Sequence, residues 1–288
     1  MYRCVLISLM YDRRSTMQYS IKDAVRGRRS VRTYSGEPLR EDDRHKLEEF
    51  LKTLRDPFGV PVEFRFLDAE SCGLSCPVVV GTDLYLGAKT PRVQNSEIAF
   101  GYALEQVVLY AQSLGIGTVW IAGTMNRSAF ESAMEVTDGE VMYAVTPVGY
   151  PAKKMSVRES LMRRGVKADE RLPFETLFFK DTFSSQMTPG DAGRLRDAFE
   201  AVRLAPSAIN KQPWRAVVCG DTVHFFEKRA KSMSSAKTGD IQKVDIGIAL
   251  LHFALTAEED GIRGRFTECD PGLEHDANTE YIISFVAE

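Results

Sequence analysis

The sequence is poor in the residues that mark metalloproteins and disulfide-rich proteins. Its 288 residues include five cysteines and four histidines. An odd cysteine count in a chain of this length favours reduced thiols and a cytoplasmic protein over a disulfide framework. Cys72 and Cys76 are four residues apart, but no histidine falls near them, so we expect no metal site.

Long apolar runs are also missing. The run CVLISLM near the N-terminus has seven residues, too few to cross a membrane, and it follows a single arginine without a small-residue cleavage site. We therefore expect neither a membrane span nor a signal peptide. Met17 would serve equally well as a start, and residues 1–16 are predicted to be an N-terminal extension.

Neither sign of charge dominates the chain. The formal net charge is −3 and the sequence pI is about 5.9. There is no long basic run, so no nucleic-acid partner is expected. The composition, 44% hydrophobic and 27% charged, is that of a globular protein with one large core or two smaller units.

Apolar periodicity predicts elements in a similar order in the two halves of the chain. Helices are predicted from helical spacing, and strands from alternating or short buried runs. In the first half these are helices at 20–28, 39–55 and 96–114 and strands at 62–68, 76–83 and 141–151. In the second half they are helices at 189–205 and 245–264, a hairpin at 215–227 and a strand at 280–286.

The two long helices match each other at an offset of 146 residues. Apolar helix faces resemble one another by chance, but glycines matched inside and just after a helix are harder to explain that way. We interpret the match as an internal duplication, with α+β units at 17–180 and 181–288. The matched pairs are Gly101 with Gly247, Ala103 with Ala249, Leu104 with Leu250, Leu109 with Leu255, Ala111 with Ala257, Gly115 with Gly261 and Ile116 with Ile262.

The segment RRSVR supplies donors suited to a phosphate group. Arg28, Arg29 and Arg32 carry planar guanidinium groups that bind phosphate oxygens in pairs. The hydroxyl of Ser30 is a further candidate for phosphate or ribityl oxygens. The alternative is a solvated helix end whose cations interact favourably with the helix dipole.

A long polar loop, APSAINKQPW, separates a predicted helix from a strand in the second half. Such loops on rigid scaffolds often bind ligands, although many are connectors. The first half has the shorter RDPFGVPVEF at this place, and the second half lacks a basic cluster like RRSVR. Each half thus lacks the segment that the other half has. This indicates one composite site between the halves, and loss of the second site that the duplication would have produced. Trp214 is expected to anchor the following strand in the core.

The segments RRSVRTYSG, GIGTVWIAG, GYP and APSAINKQPW together resemble the nitroreductase family of FMN flavoproteins, above all its single-chain, duplicated type. The resemblance covers nearly the whole chain from about residue 18. It implies an α+β nitroreductase-like fold, in which two units of mixed sheet and flanking helices pack as an intramolecular pseudo-dimer. Members with one unit per chain are typically homodimers with FMN at the interface. This chain is therefore expected to be a monomer with one complete flavin site, although fusion does not forbid a further homo-oligomer.

The resemblance also implies roles for individual residues. Trp120, Ile121 and Ala122 would run along the flavin near N5, largely through main-chain atoms. Arg171 would reach the phosphate, with Lys167 as a weaker candidate, and arginine near the N1/C2 carbonyl edge would stabilise the anionic reduced flavin. From the other half, amides with both donors and acceptors would meet ribityl hydroxyls or ring edges. The residues expected to line the flavin there are Pro206, Ser207, Asn210 and Gln212.

The implied activity is that of an oxidoreductase that takes hydride from NADH or NADPH and passes it to a small-molecule acceptor. The acceptor would be a nitroaromatic, a quinone or an enone, and the kinetics would be ping-pong. No Ser-His-Asp set, P-loop or zinc motif competes, and no catalytic side chain is assigned. Alternatives with this fold are a reductive dehalogenase or a flavin-fragmenting enzyme, with a lid formed by 86–97 or 226–240. A non-catalytic FMN-binding or sensing protein is the alternative from another class.

Overall fold

The computed structural model describes residues 19–55, 57–230, 233–235 and 238–288, and the predicted N-terminal extension lies outside them. Helices and strands are mixed along the chain, which confirms the α+β class. The α-helices are α1 (Ile21–Gly27), α2 (Glu41–Leu51), α3 (Ser96–Ser113), α4 (Arg127–Ala133), α5 (Val157–Gly165), α6 (Phe174–Leu177), α7 (Arg196–Leu204) and α8 (Ile241–Glu259). The strands are β1 (Glu63–Asp68), β2 (Leu84–Pro91), β3 (Glu140–Val141), β4 (Val145–Pro147), β5 (Phe178–Lys180), β6 (Trp214–Cys219), β7 (Thr222–Lys228), β8 (Ser234–Ser235), β9 (Gly239–Asp240), β10 (Gly264–Thr267) and β11 (Thr279–Ala287).

Two larger sheets divide most of the strands between the halves of the chain. In the first sheet β2 pairs antiparallel with β1, β3 and β4. In the second sheet the order is β10-β11-β7-β6-β5, and only the β5–β6 pair is parallel. β5 ends at Lys180, so the last strand before the predicted unit boundary lies in the second sheet. β8 and β9 form a small separate ribbon.

The long helices α3 and α8 pack directly against each other. Both are buried along most of their length, as expected for helices without a polar face. Their closest approach is at two glycines. A Cβ atom on Gly101 would lie 2.1 Å from the carbonyl oxygen of Val244, and one on Gly247 would lie 2.1 Å from that of Ile98. Ile98 and Val244 are also 146 residues apart, so the contact is symmetric under the sequence offset.

The two helices also end in the same way. Gly115 and Gly261 adopt φ values of +75° and +76°, in the left-handed region that favours glycine. The amides of the isoleucines that follow them donate to the carbonyl five residues earlier, at 2.9 Å for Ile116 and 2.8 Å for Ile262. The glycines matched in sequence therefore have matching structural roles.

One strand prediction is wrong. Residues 76–83 form turns with a single bridge at Val80, whose side chain is 54% exposed. The strand is β2, which begins directly after this segment and is buried almost throughout. The amide of Val80 donates to the carbonyl of Arg32 at 2.9 Å, so the run of valines supports the basic turn instead of forming a strand.

The position of β2 also contradicts the first predicted lid. Residues 86–91 of the segment 86–97 lie in this strand, between β1 and β4, and the segment ends in the first turn of α3. The second predicted lid, 226–240, begins in β7 and contains β8 and β9. Four of its residues lie outside the described part of the chain.

None of the described helices is long and apolar enough to span a membrane. Within the described ranges, no three histidine, cysteine, aspartate or glutamate side chains gather in an arrangement that could hold a metal ion.

Replacing Gly101 with alanine should destabilise the protein, because the added methyl group would overlap the Val244 carbonyl unless the helices separate. We expect a loss of about 2 kcal/mol in the free energy of unfolding, measured by chemical denaturation. Gly165, at the end of α5, has open space at its Cβ position and is the matched control. Gly165→Ala should be neutral or slightly stabilising. Equal stability of the two variants would contradict the close helix contact.

Candidate functional site

The basic turn RRSVR is held in one conformation by backbone hydrogen bonds. α1 ends where the amide of Arg28 donates to Ala24 at 2.9 Å, and the amide of Val31 then donates to the carbonyl of Thr118 at 2.9 Å. The Arg32 carbonyl accepts a hydrogen bond from the Val80 amide. The turn therefore lies directly beside the segment that leads into Trp120, Ile121 and Ala122.

Four arginines gather next to this turn. Arg28 and Arg32 come from the turn, Arg163 from the last turn of α5, and Arg171 from the segment after it. Burial lowers the pKa of Arg28, Arg32 and Arg171, and the nearby charge of Arg163 lowers each further. The carboxylates of Glu105 and Glu159 offset part of this effect at Arg28 and Arg32, respectively. In the described structure, the buried Nε atoms of these three arginines have no hydrogen-bond partner.

Such a cluster fits an anion. Like charges in a medium of low dielectric constant repel one another strongly, and buried donors without partners are unfavourable. A phosphate group would relieve both, because its oxygens accept paired hydrogen bonds from guanidinium groups. Ser30 is half-buried beside Thr118, at the edge of the cluster, whereas Arg29 is exposed.

Sequence reasoning missed Arg163. Its signal was the basic end of α5 between GYP and the segment that carries Arg171, but many basic residues occur there. Arg163 also contacts the carboxylate of Asp169. Lys167, the weaker phosphate candidate, is exposed and pairs with Glu170 at 3.2 Å.

The loop APSAINKQPW has an unusual backbone. Ile209, Asn210 and Gln212 have φ values of +43°, +58° and +50°, a region that non-glycine residues rarely occupy. Ile209 is β-branched and 58% exposed, so its conformation is strained without compensating burial. The Ser207 hydroxyl, beside half-buried Pro206, accepts a hydrogen bond from the Gln212 amide at 2.9 Å.

The two amides of this loop bind the backbone of the segment that carries Arg171. Asn210 Nδ2 donates to the carbonyls of Lys167 and Glu170 at 2.7 and 3.0 Å, and its Oδ1 lies 3.5 Å from an Arg171 nitrogen. Gln212 Oε1 accepts from the Leu172 amide at 2.9 Å. The loop of the second half and the arginine cluster are therefore parts of one assembly. Both amides hold the backbone around Arg171 in this conformation.

Backbone contacts also fix the segment from Trp120 to Ala122. The Ile121 amide and carbonyl exchange two hydrogen bonds with Val145, each at 2.9 Å. The Ala122 carbonyl accepts from Arg127 at 2.8 Å. The Trp120 indole donates to Glu105, so this side chain points towards α3.

Aromatic side chains lie at the position in the second half that the offset of 146 residues relates to this segment. Under the offset of 146, Phe266 corresponds to Trp120. Its ring lies 6.0 Å from that of Phe58, which comes from the shorter loop of the first half. Phe58 in turn contacts Tyr102, with ring centroids 5.6 Å apart. The described residues thus place apolar rings where the other half has its polar loop.

A cavity of about 830 Å³ lies elsewhere. It is at the N-terminal ends of α3 and α8, between Asn95 and Lys243, and none of the predicted site residues lines it. Its wall includes Glu268 and Asp270, which lie in the second half just after β10.

A buried acidic group lies between this cavity and the polar loop. Asp245 accepts from the Ala208 amide at 3.0 Å, and burial, together with Asp240 and Glu227, raises its pKa well above the ordinary value. Glu227 is fully buried, and among the described residues the cation nearest to it is Arg229, at 3.7 Å. Burial, followed by the charge of Asp240, raises the pKa of Glu227 to about 7.

The chain has the fold of the nitroreductases. A putative nitroreductase from Thermotoga maritima is similar, with a TM-score of 0.58, over 96% of this chain and 99% of that one, at 20% identity. A nitroreductase family protein from Clostridium difficile covers 54% of this chain and 94% of its own, with a TM-score of 0.42 and 14% identity. A putative NADH dehydrogenase/NAD(P)H nitroreductase from Bacteroides thetaiotaomicron covers 47% and 89%, with a TM-score of 0.40 and 19% identity.

Within this class the chain belongs to one particular family. The family model described as "Putative TM nitroreductase" matches residues 20–257. This match confirms the resemblance on which the sequence motifs agreed. A search of curated proteins finds no match to this chain.

Glu227 should make the stability of the protein depend on pH. Its pKa is raised on folding, so the folded state binds the proton more tightly, and this stabilisation is lost as pH rises through about 7. Between about pH 5 and pH 8 we expect the free energy of unfolding to fall by up to ~3 kcal/mol from this group. Urea unfolding across this range measures the fall. Glu227→Gln should flatten it, whereas the exposed control Glu37→Gln should not; an unchanged slope in Glu227→Gln would refute the assignment.

Proposed function

We propose that the protein is an FMN-dependent oxidoreductase of the nitroreductase type. The observation that carries this proposal is the arginine cluster, with buried and unpartnered Nε atoms, at the junction with the polar loop. An anionic cofactor held at that place would lie next to the segment from Trp120 to Ala122. Membership of the nitroreductase family makes FMN the fitting candidate.

The residues divide the binding of FMN between them. Arg28, Arg32, Arg163 and Arg171 would hold the phosphate, with Ser30 as a further donor. The backbone of residues 120–122 would support the ring, and the loop from Pro206 to Gln212 would close the site from the second half. FMN, when bound, supplies hydride transfer from NADH or NADPH to a nitroaromatic, quinone or similar acceptor.

We further propose one such site per chain, in an intramolecular pseudo-dimer of units 17–180 and 181–288. The reciprocal contact of Gly101 and Gly247 supports the two-fold relation of the units. The packing of Phe58 against Phe266 supports loss of the mirror site. On this basis the chain is expected to work as a monomer.

A cytoplasmic location belongs to the same proposal. Cys72, Cys76, Cys219 and Cys269 are all free thiols in the described structure, which suits a reducing compartment.

Titration with FMN should give a flavin spectrum with about one FMN bound per chain, since the described residues form one arginine cluster that meets a polar loop. About two per chain would contradict loss of the mirror site. No binding, even with excess FMN, would refute the oxidoreductase proposal.

Arg171→Gln should weaken FMN binding at least about tenfold, because it removes a guanidinium from the arginine cluster. The control Arg265→Gln, on an arginine exposed in β10, should bind FMN normally.

Catalysis is tested separately from binding. Oxidation of NADH or NADPH should be slow alone and become fast on addition of a nitroaromatic or quinone acceptor. Bound FMN without turnover for either nucleotide would indicate a flavin-binding or sensing protein instead of an enzyme.

A further inference from the structure

Glu105 is a fully buried carboxylate at the contact between the two halves. It lies on α3, and its Oε2 accepts a hydrogen bond from the Trp120 indole at 2.8 Å. Its Oε1 lies 2.9 Å from Nε2 of His252, on α8, and 3.9 Å from Nε of Arg28. The carboxylate of Glu105 thus contacts the segment from Trp120 to Ala122, the arginine cluster and the second half of the chain.

Both ring nitrogens of His252 face an oxygen atom. Nδ1 lies 3.0 Å from the carbonyl oxygen of Ala201, and a carbonyl can only accept, so Nδ1 carries a proton. The contact between Nε2 and Glu105 Oε1 holds one more proton. Trp120 donates to Glu105, and the charge of Arg28 is close by, and both favour the carboxylate form. With that proton on Nε2, His252 would be an imidazolium facing the carboxylate of Glu105.

The distances to Glu105 Oε1 indicate which cation pairs with this carboxylate. Arg28 and His252 approach the same oxygen, and His252 is closer by about 1 Å. Without the imidazolium, the carboxylate would cancel the charge of Arg28, the most buried member of the cluster. With it, the carboxylate is already compensated, and the Arg28 guanidinium keeps its charge and an unpartnered Nε.

The mirror position lacks this network. Under the offset of 146, His252 corresponds to Gln106, and Leu251 takes the place of Glu105. Gln106 is satisfied by the backbone of Arg55, accepting from its amide at 3.0 Å and donating to its carbonyl at 2.9 Å. The charged network therefore occurs on the side that has the arginine cluster, and the side filled by aromatic rings has a neutral amide.

We propose that the His252 imidazolium neutralises Glu105 and so leaves the charge of Arg28 available to the phosphate of FMN, an inference that rests on the function proposed above. His252 and Glu105 are positioning residues: they do not touch the cofactor. Through Arg28 they make the site selective for a phosphorylated flavin over riboflavin.

The first test compares FMN with riboflavin, which lacks the phosphate. His252→Gln, the residue at the mirror position, should weaken FMN binding at least about tenfold because the uncompensated carboxylate then pairs with Arg28. Riboflavin affinity should be unchanged, which also shows that the variant is folded. The exposed control His45→Gln should bind both flavins as the wild type does. Equal weakening for both flavins, or no weakening, would overturn the inference.

A double variant separates charge from packing. In His252→Gln/Glu105→Gln the carboxylate is gone as well, so FMN binding should recover most of the affinity lost in the single variant. A double variant as weak as the single one would overturn the charge argument. Nitrogen-15 NMR of the wild type at neutral pH should show protons on both ring nitrogens of His252, and an unprotonated nitrogen would also overturn it.

Failure of the broader proposal looks different. Wild-type protein that binds neither FMN nor riboflavin would refute the proposed function, and the inference with it. Wild-type protein that prefers FMN, together with unaltered selectivity in His252→Gln, would leave the proposed function standing and remove only this inference.

Discussion

The contact between α3 and α8 is the constraint on which the candidate site depends. The helix axes approach closely only because Gly101 and Gly247 have no side chains at the points where a Cβ atom would meet a carbonyl oxygen. The basic turn is built on one half and the strained loop on the other. This close approach brings His252 on α8 within reach of Glu105 on α3. Asn210 and the segment that carries Arg171 lead into β6 and β5, which pair in the second sheet, so the loop and this segment meet there.

The elements of the fold that depend on local pattern were predictable from the sequence. The long helices, their glycine ends, the hairpin of β6 and β7 and the last strand follow from spacing and turn chemistry. The strand predicted at 76–83 was wrong because a short run of valines has the same pattern whether it pairs in a sheet or bridges a turn. Its neighbour β2 contains a glycine and a lysine and so gave a weaker strand signal.

The candidate site was predictable in its parts but not in its connections. Motifs indicated Arg28, Arg32, Arg171 and the polar loop, because each lies in a short stretch of distinctive composition. Arg163 joins them only in space. The amides of Asn210 and Gln212 are used to hold backbone, which no composition reveals. Whether a polar side chain meets a ligand or a neighbouring carbonyl is decided by tertiary geometry.

All the residues of the arginine cluster and of the polar loop belong to one polypeptide. A site divided between two separate chains is lost on dilution, because dissociation separates its parts. Here the covalent connection replaces association with an intramolecular step, so the parts face each other at a high effective concentration whatever the amount of protein present. On the proposed function, the site would therefore be complete in each chain whatever the expression level.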